Sequence, residues 1–160
     1  MAAPHKEGSQ TAKSLGDAPN ASRFASWATA LQASGYRMTM PRRTVLTVLD
    51  SAHGKALEAL QIWESARRSY PMLGKATVYR MLERMEALGL VRRVHDQCGC
   101  HAFVAVDDSQ DPLLVCLRCG RAMAAPAPVL ATLSELLLRE CGFQISPREL
   151  QISVICPECR

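Results

Sequence analysis

Apolar residues recur at helical spacing through the first half of the chain, then give way to short runs and alternation. Phe24, Trp27, Ala28 and Leu31 predict a first helix, with Asn20 as its cap and Gly35 as its stop. Thr39 followed by Pro41 marks a second start, because proline fits the first helical turn. Val45, Leu46, Val48 and Leu49 form its stripe before His53 and Gly54 break it. A third helix over Leu57 to Arg68 turns Leu60, Trp63 and Ala66 inward. It stops at Tyr70-Pro71, since the residue before proline disfavours the helical region. The fourth, opened by Gly74 and closed by Gly89, carries Val78, Met81, Leu82, Met85 and Leu88 on one stripe, with Lys75, Arg80 and Arg84 largely off it.

Strand signals follow. Leu90, Val91 and Val94 with Arg92 and Arg93 between them predict a short strand, a turn at Asp96, and a return strand over His101 to Val106. Short helices followed by a basic hairpin are the order of a winged helix-turn-helix, whose fourth helix would enter a major groove. Residues 107–112 then read as a polar hinge, Leu113 to Leu117 as a strand, and Ala122 to Pro128 as an irregular connection. Val129 to Cys141 predicts an amphipathic helix with Val129, Leu130, Leu133, Leu136 and Leu137 on its apolar stripe and Gly142 as its stop. Ile152 and Val154 alternate with polar neighbours in a last strand. The expected fold class is α+β: a disordered tail over 1–20, a winged-helix domain over 21–106, the hinge over 107–112, and a small α/β domain over 113–160. A domain that small needs a metal, a partner subunit, or both to be stable.

Charge adds a direction. Residues 25–96 carry eleven Lys or Arg against six Asp or Glu, whereas residues 97–160 carry five against seven. The basic surplus therefore lies on the predicted winged helix, where a polyanion is the natural partner. No apolar run is long enough to span a membrane and no secretory leader opens the sequence, so no membrane partner and a reducing, cytoplasmic compartment are expected. Seven cysteines in such a compartment point to metal or redox chemistry rather than a disulfide framework.

Four of those cysteines form two CxxC pairs. Cys116 and Cys119, followed by Gly120, make one knuckle; Cys156 and Cys159 make the other. Two intervening residues let a tight turn aim both sulfurs at one ion, and two such pairs complete the tetrahedral shell of one structural Zn²⁺ per subunit. A closed shell leaves no position for catalysis, and no nucleophile and base pair is evident, so an enzyme is not expected. A second group is Cys98, Cys100 and His101, with His95 just ahead of them. Two thiolates and imidazole suit Zn²⁺ better than Fe²⁺. The same residues are also compatible with a thiol redox switch or with a hairpin that senses nothing.

Three strings carry a family resemblance: Gly35-Tyr36-Arg37-Met38-Thr39-Met40-Pro41-Arg42, then Ala76-Thr77-Val78-Tyr79-Arg80, then the CxxCG knuckle with the terminal cysteine pair. In this order they resemble the ferric uptake regulator family, with its zinc-responsive branch as the favoured reading. The resemblance implies a winged-helix DNA-binding domain, a hinge, and an α/β dimerisation domain holding the four-cysteine zinc. It implies a homodimer acting as a metal-responsive repressor on inverted-repeat operators in double-stranded DNA. Tyr79 and Arg80 match the family's DNA-contacting positions on the recognition helix, and Arg37 and Arg42 belong to the matching basic string. Thr77 is expected to start that helix and reach a phosphate. Independently of the family, arginine can fork onto guanine or phosphate, and a tyrosine ring can pack on a thymine methyl. Arg92 and Arg93 are generic wing contacts.

The sequence departs from the family where metal is sensed. The histidine-rich run expected shortly before the first knuckle is Ser109-Gln110-Asp111-Pro112-Leu113 here. The histidine expected ahead of the third helix falls near Ala56, with His53 three residues earlier. The group over His95 to His101 is therefore the candidate regulatory site, for Zn²⁺ or else Fe²⁺ or Mn²⁺, with Asp107, Asp108 and Glu64 as candidate additions. Two alternatives stand beside the zinc-responsive repressor: a peroxide, iron or thiol-redox responder of the same fold, and a zinc-stapled protein-interaction module without DNA binding. Cys141, closing an apolar helical face, is expected to be a buried core thiol.

Overall fold

The computed structural model describes residues 21–95, 101–106, 111–146 and 150–160. The expected tail over 1–20, the Asn20 cap, Cys98, Cys100, Asp107 and Asp108 lie outside the described residues.

Four helices come first: α1 (Ala21–Ala33), α2 (Met40–Ser51), α3 (Ala59–Ser69) and α4 (Lys75–Ala87). Their apolar stripes meet in one core, with Trp27, Leu31, Val45, Leu46, Leu49, Ile62, Ala66, Val78, Met81, Leu82 and Met85 buried. Proline in the first turn starts α2 after Thr39, although the Thr39 side chain makes no capping bond. The helix α3 is opened instead by a reciprocal box in which the Glu58 amide donates to Gln61 Oε1 at 3.0 Å. Leu57 and Glu58, expected as helix, form the two-residue strand β1, and the inward residues of α3 are Ala59, Ile62 and Ala66 rather than Leu60, which is exposed. The buried stripe thus lies one residue earlier than expected, a rotation of about 100°.

The strands β2 (Val91–His95) and β3 (His101–Ala105) form an antiparallel hairpin, with β1 paired on the far side of β3. Side chains alternate across this hairpin, and both faces are covered. Val91, Phe103 and Ala105 join the helical core. Val94, Ala102, Val104 and Val106 instead pack with Leu113, Val115 and Ala122 in a second apolar cluster.

The second sheet has the order β5-β4-β6: β4 (Leu113–Cys116) pairs antiparallel with β5 (Ala122–Ala124) and parallel with β6 (Gln151–Val154). The stretch expected to be irregular thus contributes a strand. The knuckle turn is what folds it back beside β4, a constraint that composition alone does not carry. The connection to β6 runs through α5 (Ala127–Cys141), ended by Gly142 in the left-handed conformation. No residue of α5 is buried, and Val129, Leu136 and Leu138 lie open on it. Cys141 is exposed, not a core thiol, because among the described residues nothing buries any residue of this helix. Among the described residues no helix is long and apolar enough to cross a membrane.

Candidate metal centre and nucleic-acid face

The end of β4 and the C-terminal 3₁₀ turn Pro157–Cys159 bring the two CxxC pairs together. The Sγ atoms of Cys116, Cys119, Cys156 and Cys159 all lie within 4.8 Å of one another, and those of Cys119 and Cys156 are 3.7 Å apart. Four sulfurs about 2.3 Å from a tetrahedral ion stand about 3.8 Å from each other, so the cluster has the dimensions of that shell. Among the described residues it is the one convergent group of three or more His, Cys, Asp or Glu side chains.

The turn chemistry prepares the sulfurs. The Cys116 thiol is drawn down to about 6 by the backbone N–H groups of Cys156 and Cys119, the former donating to its Sγ at 3.4 Å. Cys159 is pushed up to about 12 by its hydrogen bonds to the sulfurs of Cys156 and Cys119. Four thiols at one point cannot all ionise without a cation among them. Two arginines that sequence reading passed over brace the knuckles. Arg121 forks onto Glu158, with Nη1 to Oε1 at 2.6 Å, and Arg118 Nη1 donates to the Cys159 carbonyl. The carboxylate hydrogen bonds and charge hold the Arg121 guanidinium above its ordinary range. The only signal for this clamp is an arginine just after one knuckle and a glutamate inside the other.

The knuckle also grips the helical half. Lys55 and Arg121 pair their backbones in an isolated antiparallel β-bridge, the Ala56 amide donates to the Gly120 carbonyl at 2.7 Å, and the Ala122 amide donates to the Gly54 carbonyl at 2.9 Å. His53 is buried beside this seam.

At the other proposed centre, His95 and His101 face each other at the turn end of the hairpin. They are register partners, with ring centroids 5.1 Å apart, and both are exposed. Gln151 fixes the end of the strand by accepting from the His95 amide at 3.0 Å and donating to its carbonyl at 2.9 Å. Glu64 is not drawn to this pair; it lines a shallow depression on α3 with Trp63, Arg67 and Arg68.

The DNA-contact candidates separate into free and committed groups. On α4, Val78, Met81, Leu82 and Met85 fill the core while Tyr79 and Arg80 point outward, with Tyr79 about half exposed at 49%. Thr77 does not start the helix: Gly74 caps it, and Thr77 sits half-buried in its first turn. Arg37 is exposed, and Arg42 stacks 3.8 Å from the Tyr36 ring centroid while its Nη1 donates to the Arg37 carbonyl. Arg93 donates to Glu86 Oε2 at 2.7 Å and lies over the Phe103 ring. Arg92, half-buried, is committed to the C-terminal half. Its guanidinium donates to the carbonyls of Asp111 at 2.7 Å and Leu150 at 3.4 Å, and burial lowers its pKa. Arg84, too, is committed, donating to the Ser34 carbonyl at 2.6 Å.

Comparison with known proteins converges on one group. The profile of the ferric uptake regulator family matches residues 33–153. The ferric uptake regulation protein of Legionella pneumophila is 30% identical over 130 residues, covering 81% of this chain and 96% of the relative. Among solved structures, the ferric uptake regulator of Pseudomonas aeruginosa with manganese aligns with a TM-score of 0.57 at 28% identity, over 81% of this chain and 96% of that one. A zinc uptake regulator complexed with zinc and DNA aligns with a TM-score of 0.60 at 21% identity, over 85% and 91%, a likeness of fold.

Proposed function

The chain belongs to the ferric uptake regulator family, a family of metal-responsive transcriptional regulators and not of enzymes, and on that premise we propose that it is a zinc-responsive, DNA-binding repressor of metal-uptake genes. The helices α2 to α4 with the β2–β3 hairpin serve as a winged helix-turn-helix, and α4 enters the major groove of an inverted-repeat operator. Two copies pair through the uncovered apolar face of α5, giving the two-fold symmetry that such an operator mirrors. The four-cysteine centre holds one structural Zn²⁺ per subunit, and the ion supplies the folding energy that the small C-terminal sheet lacks.

The observation that carries this reading is the division of labour on α4. Four consecutive inward positions are buried, and Tyr79 and Arg80 are presented outward on the same rigid helix. Arg37 and Arg42 supply further positive charge, with Arg42 aligned by its stack on Tyr36. Arg92 has no part in the interface, since its donors serve the C-terminal half. Regulation is assigned to the hairpin end, a reading supported by the His95 and His101 rings 5.1 Å apart, with Cys98 and Cys100 as the proposed further donors. The ion acts as an effector to the extent that it prefers the DNA-competent arrangement.

The test is selection of bound duplexes from random-sequence DNA by the zinc-loaded protein, followed by binding of the selected duplex to Tyr79→Ala and Arg80→Ala. An inverted repeat is expected, with each variant losing at least tenfold in affinity or relaxing one position. Equal retention of both variants on DNA would point to the protein-interaction module instead.

A further inference from the structure

The corner between α3 and α4 is crowded with positive charge that the fold does not need. Arg67 and Arg68 lie in the last turn of α3, and Lys75 is the first residue of α4. Trp63 gathers two of these cations: the Arg67 guanidinium carbon is 4.8 Å from its ring centroid and Lys75 Nζ is 4.6 Å from it. The indole is itself fixed, donating from Nε1 to the Leu73 carbonyl at 2.8 Å. Arg67 is steadied further by donating from Nε to the Pro71 carbonyl at 3.3 Å. Glu64 is the acid at this depression, and among the described residues no ion pair joins it to Arg67, Arg68 or Lys75.

Helix electrostatics accounts for half of this arrangement. Cations in the last turn of α3 complement the negative end of its dipole, so Arg67 and Arg68 alone would be unremarkable surface residues. Lys75 is at the opposite, positive end of α4, and the first turn of that helix contains no acidic residue. An ammonium there runs against the helix dipole, the indole face offsets some of that cost, and an anion at the same end would be favourable. Lys75 and Tyr79 are four residues apart and hence on one helical face, which makes the cation pair continuous with the outward residues of α4.

We infer that Trp63 is a positioning residue that presents Arg67 and Lys75 as a two-cation clamp for a phosphodiester of the DNA strand bordering the groove that α4 enters. The inference rests on the DNA-binding reading and deepens it. Two long side chains pre-set on an aromatic face lose less freedom on binding than two free ones. The clamp fixes register on the backbone and carries no base preference of its own.

The test uses the zinc-loaded full-length protein and a duplex it has selected from random-sequence DNA, with affinity measured across a potassium chloride series. Arg67→Gln and Lys75→Gln are each expected to weaken binding roughly five- to tenfold near 0.1 M salt, and to lower the slope of log affinity against log salt by about 0.9 per contact. Base preference stays unchanged. Trp63→Leu lowers the slope in the same way, Trp63→Phe restores part of it, and Lys75→Gln added to Trp63→Leu costs less than the sum of the two. Unchanged slopes in Arg67→Gln and Lys75→Gln would overturn the clamp, and strict additivity would overturn the positioning role of Trp63. Should Trp63→Leu melt early, the two glutamine variants still decide the clamp. Tyr79→Ala and Arg80→Ala run alongside: if they also leave binding intact, the DNA-binding reading has failed, whereas if they lose it while Arg67→Gln and Lys75→Gln do not, the clamp alone has failed.

Discussion

The amide of Ala56 donates to the carbonyl of Gly120 at 2.7 Å, and a Cβ placed on Gly120 would stand 3.1 Å from the Ala56 carbonyl oxygen. The knuckle glycine therefore does two things at once. With φ at +71° it closes the turn after Cys119, and its lack of a side chain lets the loop ahead of α3 lie against the metal centre. The four-cysteine knuckle and the helical half are joined by backbone hydrogen bonds as well as by chain connectivity.

Gly120→Ala is expected to destabilise the zinc-loaded protein by about 1–2 kcal/mol, the cost of a left-handed non-glycine residue. Urea unfolding at fixed zinc measures it. No change in midpoint would mean that the loop yields freely and that the contact does not hold the halves together.

Stripping the four-cysteine ion with a strong chelator, or replacing Cys116 by Ser, should remove one zinc per subunit and collapse the β4–β5–β6 sheet together. The metal's binding energy is folding energy in a unit this small. Native mass spectrometry alongside circular dichroism reads both, and retention of the sheet after complete zinc loss would refute the structural role.

The Arg23 guanidinium donates from Nε to Asp50 Oδ1 at 2.7 Å with both side chains nearly inaccessible. Asp50→Ala strands a buried charge and is expected to cost about 3–5 kcal/mol, whereas replacing the pair by Met and Leu should be close to neutral. Equilibrium unfolding of the three proteins tests the contrast between breaking the pair and replacing it.

Val129, Leu133 and Leu136 share one face of α5, and none of them is buried within a chain. Leu136→Asp should shift the dimer to monomer in sedimentation velocity at micromolar concentration, with little change in the melting of the helical half. A variant that remains dimeric would place the subunit contact elsewhere.

Much of this architecture is legible in the sequence, for reasons that differ by element. The stripe of Val78, Met81, Leu82 and Met85 predicts the buried face of α4 because helical period and burial agree there. Each CxxC pair is legible because its spacing is local, and their convergence because two pairs make up one tetrahedral thiolate shell. What escaped is set by pairing across the chain. The run Ala102-Phe103-Val104-Ala105-Val106 is continuous because the hairpin is covered on both faces, yet it gives no hint that β4 supplies the second cover. Arg92 reads as a wing cation until Asp111 and Leu150 are brought to it from the C-terminal half. The strand β1 is too short to announce itself, and it moves the start of α3 to Ala59.

The central claim is that zinc licenses DNA binding through the end of the β2–β3 hairpin. Its most direct test is the affinity of the selected duplex titrated against buffered free Zn²⁺, Fe²⁺ and Mn²⁺, for the wild type and for the His95→Ala, His101→Ala double variant. Affinity is expected to rise at least tenfold with zinc at concentrations where iron and manganese have no effect, and the double variant should keep its four-cysteine zinc while losing that rise. Binding that ignores zinc, or that responds to iron or to oxidation instead, would contradict the account.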